Sequence, residues 1–593
     1  MRGLRSDRLW RWILGAWAIG SALLMALRWP QIVRLEFIDR DDAMRLLEVR
    51  DWLAGQSWWD VSQHRLWGGH FDMHWSRLVD LPVAAVIAPL DAVAGPTFAT
   101  RAALVIVPLT TLLVVLVAVT ALSRRLLTEE EARFAPVFAL VASPVVQQLQ
   151  PMRIDHHGWQ IFFAVVALTA LLSRPGWKSG IAMGAALAML IVISLEGLPI
   201  AAALMGIAAL AWVLRPERAP QMLGAGWMLL AGTIVLHAVT RGPAMFEQAC
   251  DAVSPVWIVA LAIGVATLTG APFFRLKPVA VRLSLLGGGA LAAGCSIALI
   301  KPDCLHGPFA SLDPLVYRLW YLNILEGLPL WDQRIQDILK FATLPIAAMA
   351  GAAIMFSRSS PQTRILCGMY GMSLFVAFAA SVAVVRAAGT ANAFAIPAAI
   401  YLVVRLFSLA RSLVSVPARI VATVAALACV APGPVLAGGL AAMPFRDEAA
   451  DDGAIQPTDR CLDAASLRRL KTLPEGVIFS QFDIAPDLLA KSHRRAVGAG
   501  YHRNDAALHS VLAAFTLPPD RARYIVLRSR AAFVAGCPGE FEGELYREVA
   551  PDGLWARLNR GERIGWLEPV PMGGGKLRVW RVVPADMRTP PSE

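Results

Sequence analysis

Uncharged, apolar runs long enough to cross a bilayer recur from near the N-terminus to about residue 441. A hydrocarbon core about 30 Å thick takes about 20 residues of helix. Backbone in lipid must satisfy its hydrogen bonds internally, so unbroken apolar runs of this length leave a helical bundle as the allowed fold. The runs fall at 11 to 29, 101 to 122, 133 to 149, 159 to 173, 180 to 195, 198 to 214, 222 to 240, 254 to 271, 283 to 300, 338 to 356, 364 to 386, 390 to 408 and 420 to 441, thirteen in all. With 56% hydrophobic and 17% charged residues, the chain lies outside the range of soluble globular proteins. From Phe445 onward polar and apolar residues mix as in a soluble domain. The reading is a mostly α polytopic membrane domain over 1–442, including a first outer loop of about 30–100 with interfacial helices, and a small α/β or α+β domain over 443–593.

The basic head and apolar run of "MRGLRSDRLWRWILGAWAIGSALLMALRWP" resemble a signal peptide, but no small-x-small site precedes Arg28 and Trp29, so an uncleaved first span is expected. The 15-residue stretch "LPVAAVIAPLDAVAG", entered at Asp80 and interrupted by Asp91, suits an interfacial helix better than a span. Parity supports leaving it out. With Arg2, Arg5, Arg8 and Arg11 inside, thirteen spans put Arg124/Arg125, Arg174/Lys178, Arg215/Arg218, Arg275/Lys277/Arg282, Arg358/Arg364 and Arg411/Arg419 on the same side, as the positive-inside rule asks. That rule also accounts for the net charge of +11 without nucleic acid. The expected location is a bacterial inner membrane, with the N-terminus cytoplasmic and the C-terminal domain periplasmic. Of the seven cysteines none has metal-type spacing; Cys250, Cys304, Cys461 and Cys537 fall on the outer side, where Cys250 to Cys304 and Cys461 to Cys537 are the expected bridges.

Three polar constellations share that outer side. "EFIDRDDAMR" carries Asp39, Asp41 and Asp42 just after the first span. One carboxylate there would be a helix cap, but three within four residues suggest ligands for Mg²⁺ or Mn²⁺. "RIDHHGWQ" supplies Arg153, Asp155, His156 and His157, a carboxylate and imidazoles for metal with a guanidinium for phosphate. Charge at a membrane edge is costly and reads as functional by default. "WYLNILEGLPLW" sets Glu326 among apolar residues, either paired with a residue such as Arg318 or reaching into a cavity shared with the other groups. A second "LEGLP" places Glu196 at the outer end of the fifth span. Further along the first loop, "HFDMHWSRLVD" offers His74 and Arg77; Arg77 either holds a donor phosphate or snorkels to headgroups. No nucleotide-binding glycine loop and no hydrolase elbow is visible.

Taken in order, "IDRDDAMR", "RIDHHGWQ" and "NILE" resemble the first-loop acidic motif, the second-loop Asp-His-His motif and the later Glu-terminated motif of the GT-C glycosyltransferases. Closest among them is the oligosaccharyltransferase catalytic subunit with its single-chain bacterial and archaeal relatives. The resemblance covers about residues 1 to 440 and implies an inverting, metal-dependent transfer of a sugar from a polyprenyl-phosphate or polyprenyl-diphosphate donor to an envelope glycan, lipid or protein. Carried over, Asp41 and Asp155 are metal ligands together with His156 and Glu326. Asp41 or Asp42 is the acceptor-activating base, Glu326 organises the metal or acceptor, and His156 or His157 contacts metal or phosphate; beside the resemblance, the residues themselves offer Arg153, His157, His74 and Arg77 as substrate contacts. The family's Trp-Trp-Asp sequon-reading motif is absent from the C-terminal domain; "WWD" occurs only at Trp58 to Asp60, which puts Asn-linked protein glycosylation in doubt. The rival classes are a transporter or flippase for a lipid-linked or anionic substrate, expected to place charge at mid-span, and a non-catalytic envelope assembly component.

Overall fold

A computed structural model describes residues 2–67, 71–307, 309, 311–430, 461–573 and 575–583. Helices in chain order are α1 (Arg2–Arg34), α2 (Arg40–Leu53), α3 (Asp80–Ala94), α4 (Pro96–Leu126), α5 (Glu129–Ala132), α6 (Ala135–Val141), α7 (Ser143–Gln147), α8 (His157–Leu171), α9 (Trp177–Ile193), α10 (Leu198–Leu214), α11 (Ala219–Arg241), α12 (Pro255–Gly270), α13 (Val279–Ile300), α14 (Pro314–Leu319), α15 (Ile335–Ser357), α16 (Arg364–Ala383), α17 (Ala388–Ser412) and α18 (Val416–Ala428). Among the described residues nine helices are long and apolar enough to cross a membrane, and α8, α9 and α18 are shorter apolar helices.

Two runs differ in shape from simple spans. The run at 133 to 149 is broken into α6 and α7 at Ala142, ahead of Pro144, which lacks the N–H to continue the ladder. Residues 81 to 95 form α3, separated from α4 by Gly95 at φ +80°; 15 residues rise only about 22 Å, short of the bilayer core. The last expected run, 420 to 441, is helical through Ala428; its end and the expected domain boundary at 442/443 lie outside the described residues.

Contacts divide the chain into two compact units. Of the described residues, one gathers those within 2–33, 75–307 and 325–430; the other gathers those within 34–67, 71–74, 309, 311–324, 461–573 and 575–583. In the first, α9 and α11 approach so closely that a Cβ on Gly180 or Gly184 would stand 2.3 Å from Gln221 O or 2.4 Å from Ala225 O. Such small-residue stripes are what let apolar helices pack where lipid supplies no hydrophobic drive. Cys250 and Cys304 are disulfide-bonded in this unit, as expected from the sequence.

The second unit is built on a five-stranded sheet in the order β2-β1-β3-β5-β4, with β1 (Val477–Ser480), β2 (Arg495–Ala496), β3 (Ala531–Gly536), β4 (Leu567–Val570) and β5 (Arg578–Val582). Strands β2, β1 and β3 are mutually parallel, and β5 and β4 complete an antiparallel edge. Around the sheet lie α19 (Ala464–Thr472), α20 (Ala485–Ser492), α21 (Asp505–Thr516), α22 (Pro519–Arg528), α23 (Phe541–Val549) and α24 (Leu554–Asn559). Phe479, Val534, Phe515, Tyr546 and Trp555 form its buried core, joined by Val316, Leu319 and Trp320 of the 309–324 segment. The second expected bridge, Cys461 to Cys537, is formed.

Loop residues 34–74 belong structurally to this unit. Helix α2 packs along α20, with Arg50 Nη1 donating to Ala490 O at 3.2 Å. Residues 65 to 67 run beside β2, Ala496 N donating to Arg65 O at 2.9 Å and Trp67 N to Val497 O at 3.1 Å. The local "WWD" serves this loop's own fold. Trp58 packs edge-on to Trp52 at 5.0 Å, and Asp60 Oδ1 accepts from Ser62 N at 2.9 Å and Ser62 Oγ at 2.6 Å.

Candidate active site

In the first unit, the polar turn between α7 and α8 is fixed by its own backbone and side chains. Met152 takes φ +76° and donates its N–H to Leu104 O at 2.8 Å, while Arg153, buried, donates to Gln148 Oε1 at 2.7 Å. Gly158 is required by close approach: a Cβ there would lie 2.8 Å from Leu149 Cδ2 and 3.1 Å from Gln148 O. This turn delivers Asp155 and His156 to the N-terminal end of α8, where the partial positive charge of the helix favours a carboxylate.

Asp155, His156 and His157 are all buried, and their ligand-capable atoms lie within 4.8 Å of one another. His156 Nδ1 is 2.6 Å from Asp155 Oδ1, His157 Nε2 is 3.3 Å from Asp155 Oδ2, and the two imidazole rings are 4.2 Å apart. His157 Nδ1 also lies 3.0 Å from Gln160 Oε1. Glu196 closes the group, its Oε2 3.4 Å from His156 Nε2 and 3.9 Å from His157 Nδ1. Burial alone would pull the His156 imidazolium down; Asp155 and Glu196 outweigh it and push it up to about 9.

Arg386, at the turn between α16 and α17, is the residue that sequence reasoning missed. Its Nη1 donates to Glu196 and its Nη2 to Glu326, so one guanidinium fork joins both carboxylates. Glu326 is therefore partnered by Arg386 rather than Arg318. Both "LEGLP" stretches begin as matching 3₁₀ turns, Leu195–Gly197 and Leu325–Gly327, each offering its Glu to the same arginine. The Val385 N–H donates to Leu328 O at 3.1 Å and holds the arginine's turn to the second of them. The result is one connected network of Asp155, His156, His157, Glu196, Arg386 and Glu326. Arg77 belongs to the same unit, fully buried, with Nη1 3.2 Å from Asp80 Oδ2.

The second unit carries the acidic motif. Asp39 caps α2, its Oδ1 accepting from Asp41 N at 3.0 Å. Asp42 is fully buried within the helix packing, whereas Asp41 keeps partial exposure, so the two carboxylates are not equivalent. Tyr501 of the segment after β2 has the Asp41 carboxylate beside its phenol. His74 is in this unit too, its ring 4.9 Å from that of His502.

No known family model and no curated protein matches the sequence. Solved structures do match in fold. The Archaeoglobus fulgidus oligosaccharyltransferase AglB, in complex with an inhibitory peptide and a dolichol-phosphate, superposes with TM-score 0.66 at 15% identity, over 98% of this chain and 75% of that one. Its apo form gives 0.67 at 16% identity over the same shares, and its complex with Zn and sulfate 0.60 at 14%, over 96% of this chain and 73% of that one. The chain accordingly has the fold of a GT-C membrane glycosyltransferase of the oligosaccharyltransferase type.

Proposed function

We propose that this protein transfers a sugar from a polyprenyl-phosphate or polyprenyl-diphosphate donor to an envelope acceptor, with inversion, at the periplasmic face of a bacterial inner membrane. The observation that carries the reading is one connected network in which the buried Asp155, His156 and His157 meet the partly exposed Glu196, Arg386 and Glu326. Buried ionisable residues beside apolar helices are expensive to keep. Here they combine the acidic, imidazole and guanidinium chemistry that a phosphate and a divalent cation need. The fold is that of a protein solved with dolichol-phosphate bound, and in another crystal with Zn and sulfate, which supports a lipid phosphate and a metal as ligands here as well.

The residues fit a divalent metal. One carboxylate and two imidazoles stand within ligating distance of one another. A mixed oxygen and nitrogen set suits Mn²⁺ better than Mg²⁺, which favours oxygen ligands. Asp155 and His156 would hold the ion, with Glu326 in the same network. When bound, the metal supplies positive charge against the leaving phosphate. Glu196 and Glu326 hold the Arg386 fork, which with His157 and Arg153 is assigned to the donor phosphate. Asp41, the accessible member of the acidic pair, accepts the proton of the acceptor nucleophile, while the buried Asp42 supports the helix that carries it.

With the Trp-Trp-Asp stretch engaged in the first loop's own fold, a glycan, lipid or protein hydroxyl is favoured over asparagine as acceptor. The test is transfer in membranes or nanodiscs from a lipid-linked donor by Asp41→Asn, Asp155→Asn, Glu326→Gln and Arg386→Gln variants. Wild-type rates in all four sink the proposal, and activity that survives exhaustive EDTA treatment removes the metal from it. Mass spectrometry of lipid-linked sugars in cells lacking the protein identifies the donor as the species that accumulates.

A further inference from the structure

A parallel sheet whose chain runs from a central strand first to one side and then to the other opens a crevice at the carboxyl ends of the strands where it reverses, and α/β domains usually bind ligands there. In the second unit that reversal falls at β1, flanked by β2 and β3. The loops leaving these three strands carry Asp483 after β1, Tyr501 after β2 and Glu542 after β3.

The residues engaged by these loops are the first turn of α2. Arg40 Nη2 lies 2.7 Å from Asp483 Oδ2, and its Nε donates to Asp483 O at 3.1 Å, so two contacts fix one half-exposed guanidinium on one residue. Asp483 is itself held from beneath. Glu542, fully buried, accepts from Phe482 N at 3.0 Å, from Asp483 N at 2.8 Å and from the Tyr546 hydroxyl. On the β2 side Tyr501 is buried, lies 6.1 Å from the Phe71 ring and has the Asp41 carboxylate beside its phenol. The loop that presents it packs too tightly for side chains at its glycines: a Cβ on Gly500 would stand 3.0 Å from Trp320 Nε1, and one on Gly498 3.2 Å from Ala507 O. A phenol is protonated at neutral pH, so Tyr501 can act as a donor.

We infer that the strand-end crevice of the C-terminal α/β domain is a clamp for the first-loop acidic motif, in which Asp483 and Glu542 anchor Arg40 and Tyr501 is the positioning residue that orients the Asp41 carboxylate. This rests on the reading of Asp41 as a working carboxylate. A short acidic helix start in an outer loop has little rotational restraint of its own. A phenol donating to one carboxylate oxygen leaves the other presented for use, and a 1 Å misplacement of a reacting group is enough to cost about a hundredfold in rate. The crevice in which a free α/β domain would bind a small ligand is here given over to a segment of the same chain.

The test uses the full-length protein in nanodiscs and two readouts. Hydrogen exchange of peptides spanning residues 36–50 reports the clamp without reference to activity. Tyr501→Phe and Asp483→Asn are each expected to accelerate exchange in the first turns of α2 about tenfold while α4 and the sheet keep wild-type protection. In transfer assays Tyr501→Phe is expected to lower kcat about tenfold with the donor KM unchanged, and to cause no further loss in an Asp41→Asn background. Wild-type exchange over 36–50 in both variants overturns the clamp. Additive losses for Tyr501→Phe and Asp41→Asn overturn the positioning role. If the wild-type protein transfers no sugar, the reading of the reaction fails, and the exchange arm still decides the clamp.

Discussion

His156 Nδ1 stands 2.6 Å from Asp155 Oδ1, both side chains buried. A carboxylate on one imidazole nitrogen sets the tautomer and the direction in which the other nitrogen points, and partners of this kind are worth about 10- to 100-fold in metal affinity or activity when removed. Asp155→Asn preserves shape but replaces one acceptor oxygen with a donor, facing His156 or His157. Transfer is expected to fall at least 100-fold, and Mn²⁺ affinity, read by calorimetry on the purified protein, to weaken about tenfold or more. Unchanged Mn²⁺ affinity in this variant would remove Asp155 from the metal site.

Arg386 bridges Glu196 and Glu326, and losing it leaves two carboxylates facing each other without the cation between them. Arg386→Gln is expected to reduce transfer 10- to 100-fold and to lower the thermal unfolding midpoint. Arg386→Lys recovers only part of either, because an ammonium cannot span two carboxylates as a planar fork does. Full rescue by lysine would show that charge alone matters at this position.

The apolar runs and the Asp-His-His turn were legible because each is local: length and hydropathy announce a helix, and three contiguous polar residues announce a site. Arg386 was not, although a trace of it is there in hindsight. It is a lone arginine at the outer end of a run, opposite in side to the basic clusters that the positive-inside rule collects, and two copies of "LEGLP" supply its partners. The repeat does not announce this, because nothing in a sequence of this kind says that segments 130 residues apart converge on one guanidinium; that is a consequence of tertiary packing. The same holds for Arg40 and Asp483, separated by 443 positions. No periodicity in "EFIDRDDAMR" signals a docking partner in the C-terminal domain. The break at Ala142 could have been read from Pro144, whose ring and missing N–H outweigh the apolar character of its neighbours.

Between α9 and α11 the backbone itself is the contact surface. Gly184→Ala would drive a methyl to 2.4 Å from Ala225 O and 2.8 Å from Leu229 N, both backbone atoms that cannot step aside without moving α11. Overpacking of this sort costs about 1–3 kcal/mol, so the variant is expected to unfold at lower temperature in detergent. Gly206→Ala is the control, since a Cβ there meets nothing within 4 Å. Equal midpoints for the two variants would contradict the tight α9 to α11 packing.

The Cys461 to Cys537 bridge closes a loop of 76 residues within the second unit. In the chain-entropy model a loop of that size limits the unfolded chain by about 4 kcal/mol. Cys461→Ser is therefore expected to lower the unfolding midpoint of the C-terminal domain markedly and to leave a thiol on Cys537 that alkylates only after unfolding, since Cys537 is fully buried. Intact-mass analysis with and without reductant should show two bridges in the wild-type protein, Cys250 to Cys304 being the other.

Asp483 gives the clamp a pH signature. Burial raises its carboxyl to about 6, with Arg40 pulling it down and Glu540 pushing it further up, while buried Glu542 beside it is likewise raised, by burial first and by Asp483 second. A carboxyl whose folded value lies above its unfolded value stabilises the fold fully below the unfolded value, near 4. It loses that contribution as pH rises through the folded value. The contribution of Asp483 is thus present at about pH 4, declines across pH 4 to 6 and is gone at pH 7.5. Asn does not titrate, so the difference in unfolding midpoint between wild type and Asp483→Asn is expected to favour the wild type more at pH 5 than at pH 7.5. Carboxylates away from Asp483 shift both proteins alike and cancel in that difference, while Glu542, which Asp483 raises, is raised less in the variant and so changes the difference in the same direction. A difference that is flat from pH 4.5 to 7.5, or that grows toward high pH, would mean that the ion pair with Arg40 outweighs burial and that the carboxyl is not raised in the folded protein.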